Sequence, residues 1–430
     1  MSAAPATFRL TTRPGHPTFV DLPWELPLEA WEHERLVTPV RGISRHVVRF
    51  AAYGDAMYAL KEEPDHLAHK EHRLLRDLEE GGAPVVEAIG VASGRRTRDG
   101  EPLDAVLITR HLPFSLPYRV LFARQSMAEL RVPLLDALAQ LFVKLHLNGF
   151  FWGDCSLSNT LFRRDAGALT AFLVDAETGE QHPSLSDGQR AHDLMIASEN
   201  VAGELLDLAA RDAPDAPQLD VDEALAVGED LVRRYEGLWQ ELTEEEVIDA
   251  ADQHRIAERV KRLNDLGFDV EELELVRSGD KVVMRVQTHV VEPGHHRRRL
   301  LALTGIDAGE NQARQLVNDI LRYRFWLEQC APGEPRAPVS ETVAAVRWLV
   351  EVYEPCLAAV PEPLRSKLDP PELFHQMLEH RWYLSEQRGT EVETSEALAD
   401  YVANVLPLLP EDRSLLPEPP TGQVPIVGEA

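Results

Sequence analysis

Asp154, Asn159 and Asp175 are the residues of this chain whose types and spacing best suit chemistry. The first two lie in the run Leu145-His146-Leu147-Asn148-Gly149-Phe150-Phe151-Trp152-Gly153-Asp154-Cys155-Ser156-Leu157-Ser158-Asn159-Thr160-Leu161-Phe162, and Asp175 ends the apolar strand that follows. An Asp with an Asn five residues on, then a second Asp at the end of a β-hairpin, sets a base beside two ligands for magnesium. The chemistry is phosphoryl transfer. Asp154 would accept or orient the proton of an attacking hydroxyl, while Asn159 and Asp175 hold magnesium against the phosphates. Two carboxylates and an amide oxygen suit a hard cation. The structural alternative is an Asp/Asn-rich turn held by its own side-chain hydrogen bonds; the order of the motifs argues against it.

Several elements must position these groups. Residues 35–62 read as a three-strand antiparallel meander, Leu36 to Val40, His46 to Tyr53 and Ala56 to Lys61, with turns at Gly42 and at Gly54-Asp55. A polar helix around His66–Glu80 ends at Gly81-Gly82, and Val85–Val91 and Ala105–Thr109 supply further strands. Residues 126–148 form an amphipathic helix whose buried stripe is Leu130, Leu134, Leu135, Leu138, Leu141, Phe142 and Leu145. The catalytic-loop candidate starts where that helix stops.

From about Val40 to Arg211 the chain resembles the protein-kinase-like fold. It is closest to the small-molecule and sugar branch, the lipopolysaccharide-core kinases and aminoglycoside phosphotransferases, on the pattern Leu145-His146-x-x-Gly149…Gly153-Asp154…Asn159-x-Leu161. The resemblance implies an α+β, bilobal domain with an antiparallel β N-lobe (about 20–112) and a helical C-lobe (about 113–240). It implies ATP and Mg as cofactors. Asp154 would be the base, and Lys61 would hold the α- and β-phosphates, fixed in place by Glu71 of the next helix. His146 and Gly149 would support the loop, and Asp193 would tie it down. Gly42 and Ser44 fall where a glycine-rich loop belongs, though that segment has one glycine and Ser44, Arg45 or His46 would have to replace backbone contacts with side-chain ones. The adenine-binding hinge falls near Ile108-Thr109-Arg110-His111-Leu112, which brings in Thr109 and His111.

Departures from the pattern matter as much. Gly153 replaces the Arg that reads a phosphorylated activation loop, Trp152 takes the usual His position behind the loop, and Asp175-Ala176-Glu177 replaces Asp-Phe-Gly. Glu177 is either a third metal ligand or a solvent-facing acid. The expected function is Mg-ATP-dependent transfer of a γ-phosphoryl group to a hydroxyl of a sugar, glycan precursor or other small molecule. The alternative is a pseudokinase that serves as an interaction scaffold.

After the Asp/Pro-rich stretch Asp212–Asp220, Thr243 with Glu246 reads as a capping box for a helix through about Leu263. Strands Val270–Val276 and Lys281–Val291, a helix over about Asn311–Gln329 and a helical tail to about Leu409 make residues 241–410 a smaller α+β and helical domain, and 411–430 a disordered tail. The whole chain resembles bacterial proteins that join a kinase-like domain to a C-terminal domain of unknown function, which brings a protein partner through that domain into view. The basic run His295-His296-Arg297-Arg298-Arg299 reads as a solvated face beside a helix rather than an anion grip.

Composition bounds these readings. The balance of 44 basic against 72 acidic residues gives −28, which excludes an ordinary nucleic-acid or anionic-membrane binder. Cys155, Cys330 and Cys356 are widely spaced and odd in number, so neither a disulfide framework nor a zinc site is expected. The N-terminus lacks the apolar core of a signal peptide, and no stretch approaches the roughly 20 apolar residues of a membrane span. A cytoplasmic protein is the expectation.

Overall fold

A computed structural model of the chain describes residues 7–37, 46–54, 56–118, 121, 127–166, 168–211, 219–243, 274–278, 281–285, 295–329, 339–388 and 392–409. Two lobes and a C-terminal helical region make up these residues. The N-lobe is a six-stranded antiparallel sheet in the order β1-β5-β6-β4-β3-β2. Its strands are β1 (Arg9–Thr12), β2 (Leu36–Val37), β3 (Val48–Tyr53), β4 (Ala56–Glu63), β5 (Ala88–Ser93) and β6 (Ala105–Arg110). The meander expected over 35–62 is present as β2, β3 and β4, but the sheet also takes in β1, ahead of the boundary expected at residue 20. β5 starts later than the Val85–Val91 expectation, and its pairing with β6 shifts register between Ala88 and Gly90.

Strand periodicity gives the sheet two different faces. Val106 and Ile108 of β6 join a cluster with Phe19, Trp24, Leu28 and Trp31, whereas Ala105 and Leu107 join the main core with Leu74, Leu75 and Leu78. Those three leucines come from α1 (Asp65–Glu80), which covers the sheet and carries Glu71 inward.

In the C-lobe, α2 (Met127–Leu147) buries Leu134, Leu135, Leu138, Leu141, Phe142 and Leu145 of the stripe read from sequence; the Leu130 side chain lies outside the described residues. It packs on α4 (Val221–Thr243), and α4 packs on α3 (Asp187–Ala209), which opens on a Ser186/Gln189 capping box. Thr243 therefore lies within a helix instead of opening one: its hydroxyl donates back to the Trp239 carbonyl at 2.7 Å. The helix expected from Thr243 to Leu263 lies outside the described residues, as does the tail 411–430. Short strands β7 (Ser115–Pro117), β8 (Phe150–Phe151), β9 (Thr160–Asp165), β10 (Ala168–Leu173) and β11 (Glu180–Gln181) frame the segment between α2 and α3, with β9 and β10 forming a hairpin.

Beyond α4, β12 (Glu274–Ser278) pairs antiparallel with β13 (Lys281–Arg285), where two strands joined by a turn were expected. The helices α5 (His295–Thr304), α6 (Glu310–Gln329), α7 (Glu341–Trp348), α8 (Glu354–Ala358), α9 (Pro370–Arg388) and α10 (Thr394–Asp400) enclose a separate core around Ile320, Trp348, Phe374 and Met377. The basic run opens α5 and is engaged locally: His296 meets Glu310 at 3.0 Å, Arg297 meets Asp307 at 2.6 Å and Arg299 meets Glu341 at 2.6 Å. Among the described residues, no helix is long and apolar enough to cross a membrane.

Candidate active site

A cleft of about 490 Å³ runs between the sheet and the C-lobe, and it is lined by Lys61, Glu71, Thr109, His111, Asp154, Asn159, Asp175 and Glu177 among others. Eight of the ten residues singled out from sequence thus meet in one place. The other two, Gly42 and Ser44, lie outside the described residues.

Lys61 is the hub. It sits on β4, one position from the strand's apolar neighbours, so its side chain falls on the α1 side of the sheet. Nζ donates to Glu71 Oε2 at 2.8 Å and to Asp175 Oδ2 at 3.0 Å, and reaches Glu177 Oε2 at 3.4 Å. Glu63, two residues along the same strand, adds a fourth carboxylate at 3.2 Å and is itself fully buried. Burial alone would lower the Lys61 ammonium, but Glu71, Asp175 and Glu63 outweigh it and raise it above the lysine range. Burial, together with Asp175, pushes Glu71 up to about 8 against the pull of Lys61. Four carboxylates around one lysine leave a surplus of negative charge.

Glu71 also holds main chain. Its Oε1 accepts the amide of Ala176 at 3.1 Å, which fixes the backbone just after Asp175. Asp175 Oδ1 in turn accepts the amide of Glu177 at 3.0 Å. His46 Nε2 lies 2.8 Å from Glu177, and the ligand atoms of His46, Glu63 and Glu177 all come within 4.8 Å of one another. Sequence reasoning missed Glu63; its only signal is the i+2 spacing from Lys61, which puts both side chains on one face.

The loop that carries Asp154 is held from below by Asp193 of α3, which is wholly buried. Asp193 accepts the amides of Trp152 at 2.7 Å and Gly153 at 2.8 Å, and His146 Nε2 lies 3.1 Å away. Trp152 is buried against Phe142, with ring centroids 5.4 Å apart, so it packs behind the loop. Cys155 is buried too, and burial raises its thiol well above the usual range, which makes it a packing residue rather than a redox handle.

Asn159 Nδ2 donates to the Asp154 carbonyl at 3.4 Å, which leaves Oδ1 as the amide's ligand atom. Asn200 of α3, also missed from sequence, donates to Asp154 Oδ1 at 3.4 Å and to the Cys155 carbonyl at 2.9 Å. On the hinge, the amide of His111 is committed to the Met57 carbonyl at 2.8 Å, and its ring stands edge-on to Phe50. Burial lowers the His111 imidazole to about 4, so it is neutral at physiological pH.

Comparison with known proteins agrees with this division of the chain. Residues 57–202 match the model of the lipopolysaccharide kinase (Kdo/WaaP) family, and residues 237–406 match that of a domain of unknown function (DUF4032). No curated protein matches. Among solved structures, "WaaP in complex with acyl carrier protein" is 17% identical with a TM-score of 0.36, covering 60% of this chain and 99% of that one. The PknI kinase domain of Mycobacterium tuberculosis, in a double-mutant form, is 14% identical with a TM-score of 0.27, covering 46% of this chain and 96% of that one. The chain therefore contains a kinase-like region similar to the lipopolysaccharide kinase (Kdo/WaaP) family, followed by a region similar to a domain family without assigned function.

Proposed function

We propose that the kinase-like region transfers the γ-phosphoryl group of Mg-ATP to a hydroxyl of a sugar, a glycan precursor or another small molecule. The observation that carries this reading is Lys61 Nζ, held between Glu71 and Asp175, in the cleft that also contains Asp154 and Asn159. In such an arrangement Lys61 positions phosphates and Glu71 fixes Lys61. Asp154 receives or orients the hydroxyl proton, and Asn200 steadies its carboxylate.

The donor set fits a hard cation: Asn159 Oδ1 and Asp175 would hold magnesium, with Glu177 as a further ligand. The surplus of carboxylates around Lys61 is what a bound cation would offset. Magnesium, when bound, supplies charge neutralisation at the phosphate oxygens. Beyond Asp154 the cleft is lined by Ser156, Ser158, Glu199, Asn200, Glu204 and Asp207. That end offers hydrogen-bond acceptors to a hydroxyl-rich acceptor, which favours a polyol over an anionic substrate.

Calorimetry of Mg-ATP binding, with ATP turnover measured in parallel, tests the reading. Asp175→Ala should weaken Mg-ATP binding, and Asp154→Asn should lower turnover by about 10²–10⁴-fold with binding retained. No binding at millimolar Mg-ATP would sink the enzyme reading and leave an interaction scaffold.

A further inference from the structure

We propose that Asp165 is a positioning residue through which the C-terminal helical domain sets the placement of Asn159 and Asp175. The metal-holding role of that pair rests on the phosphotransferase reading; the mechanical link does not.

Asp165 ends β9, and its side chain is almost wholly buried. Oδ1 accepts the amide of Gln312 at 2.8 Å, and Oδ2 accepts the amide of Asn311 at 3.2 Å and the Thr170 hydroxyl at 3.2 Å. Those two amides belong to the first turn of α6, whose donors have no partner within the helix. A carboxylate of the kinase-like domain thus caps a helix of the C-terminal domain, with charge of the right sign for its dipole. Gly309 permits the approach: a Cβ there would lie 2.4 Å from Asp165 Oδ1.

Neighbouring bonds make this a latch of several parts. Gln312, fully buried, accepts the Gly309 amide at 3.0 Å and donates to the Arg164 carbonyl at 3.2 Å and to Glu372 Oε2 at 2.9 Å. Glu372 Oε2 also accepts the amide of Ala166, in the hairpin turn, at 3.0 Å. Arg163 pairs with Asp369 at 2.9 Å.

The other end of the hairpin carries the candidate metal-holding pair. β9 and β10 run in register from Asp165↔Ala168 to Thr160↔Leu173, and the Asn159 carbonyl then accepts the Val174 amide at 3.0 Å. Asn159 precedes the ladder and Asp175 follows it. Leu173 is tied to the N-lobe, accepting from Val86 at 3.0 Å and donating to Pro84 at 2.9 Å. The hairpin is therefore a strut of roughly 17 Å, at about 3.4 Å per residue, pinned to the N-lobe at one end and to the C-terminal domain at the other. Along its length β9 also pairs with β7 over Leu161–Arg163 and buries Phe162 in the main core, so releasing the latch loosens the hairpin beyond those contacts and shifts Asn159 and Asp175 relative to Lys61 and Asp154.

The test uses the full chain and the variants Asp165→Ala and Glu372→Ala, with hydrogen–deuterium exchange and a Mg²⁺ titration in the presence of a fluorescent ATP analogue. Expected are exchange at the Val174 and Ala176 amides faster by at least about fivefold, and a half-saturating Mg²⁺ concentration raised about tenfold. Analogue binding in EDTA should stay within about twofold of wild type, and Glu372→Gln, which keeps an acceptor for Ala166, should restore most of the Mg²⁺ response. Should Asp165→Ala fail to fold, Asp165→Asn carries the test, since it keeps one acceptor oxygen for the α6 amides but loses the second and the charge. Faster exchange confined to residues 165–170, with an unchanged Mg²⁺ requirement, would overturn the proposal. If wild type binds no Mg-nucleotide while exchange at Val174 and Ala176 still responds, the phosphotransferase reading falls and the mechanical link stands.

Discussion

Asp193 Oδ1 accepts the amide of Gly153 at 2.8 Å, one residue before Asp154. The same carboxylate takes the Trp152 amide and faces His146 Nε2, whose other ring nitrogen lies 2.7 Å from the Tyr235 hydroxyl. Burial lowers the His146 pKa despite Asp193, so the neutral ring donates to Asp193 and accepts from Tyr235. Asp193→Ala would strand two buried donors, His146 Nε2 and the Trp152 amide, and the part-buried Gly153 amide. We expect a loss of about 3 kcal/mol in denaturant unfolding, and a smaller one for Asp193→Asn, which keeps acceptor capacity.

Lys61 and its four carboxylates predict a coupled pair of substitutions. Lys61→Met removes the cation shared by Glu63, Glu71, Asp175 and Glu177 and should lower thermal stability. Adding Glu71→Gln to that variant removes one of the buried carboxyl groups that lost its lysine partner and should recover part of the loss. A double-mutant cycle on melting temperature measures this; strict additivity would mean that the two residues do not sense each other.

Much of the site was legible in the sequence. The spacing Asp154…Asn159…Asp175 and the order strand, Lys61, helix, Glu71 are local signals, and all five residues line one cleft. Glu63 was hidden because an acid near a strand end ordinarily reads as solvated, and only its i+2 spacing from Lys61 separates it from Glu62. The helix Val221–Thr243 was passed over although Ala224, Val227, Leu231, Tyr235, Leu238 and Leu242 keep its buried face. Thr243 with Glu246 matched a capping pattern that chance supplies easily, while the true hydroxyl bond runs backwards to Trp239. The bonds from Asp165 to α6 join residues about 147 positions apart, beyond the reach of any local pattern.

His111 gives a pH dependence with one cause. Its folded pKa is lowered to about 4 by burial, from an ordinary 6.5. The unfolded chain therefore binds a proton that the folded one rejects between those values. Its contribution to stability is complete above about pH 6.5 and is lost as pH falls towards 4. Melting temperature between pH 7 and 4.5 should fall more steeply for wild type than for His111→Asn, by several degrees. Parallel curves would place the titration elsewhere.

Gly149 stands at the turn from α2 into β8 with φ +72°, and a Cβ there would lie 2.1 Å from the His182 carbonyl. The contact cannot relax cheaply, because the His182 amide already donates to the Gly149 carbonyl at 2.9 Å and clamps the two backbones together. Gly54 also has a positive φ, 60°, but nothing lies within 4 Å of its Cβ position. Gly54→Ala should therefore cost only the left-handed backbone term, about 1 kcal/mol. Gly149→Ala adds a backbone clash and should cost at least about twice that. It should also disturb the pairing of Phe150 and Phe151 with Gln181 and Glu180, and through Phe151 the loop at Asp154. Urea unfolding of both variants gives the ordering; equal losses would show that the His182 segment yields and that the loop does not depend on this turn.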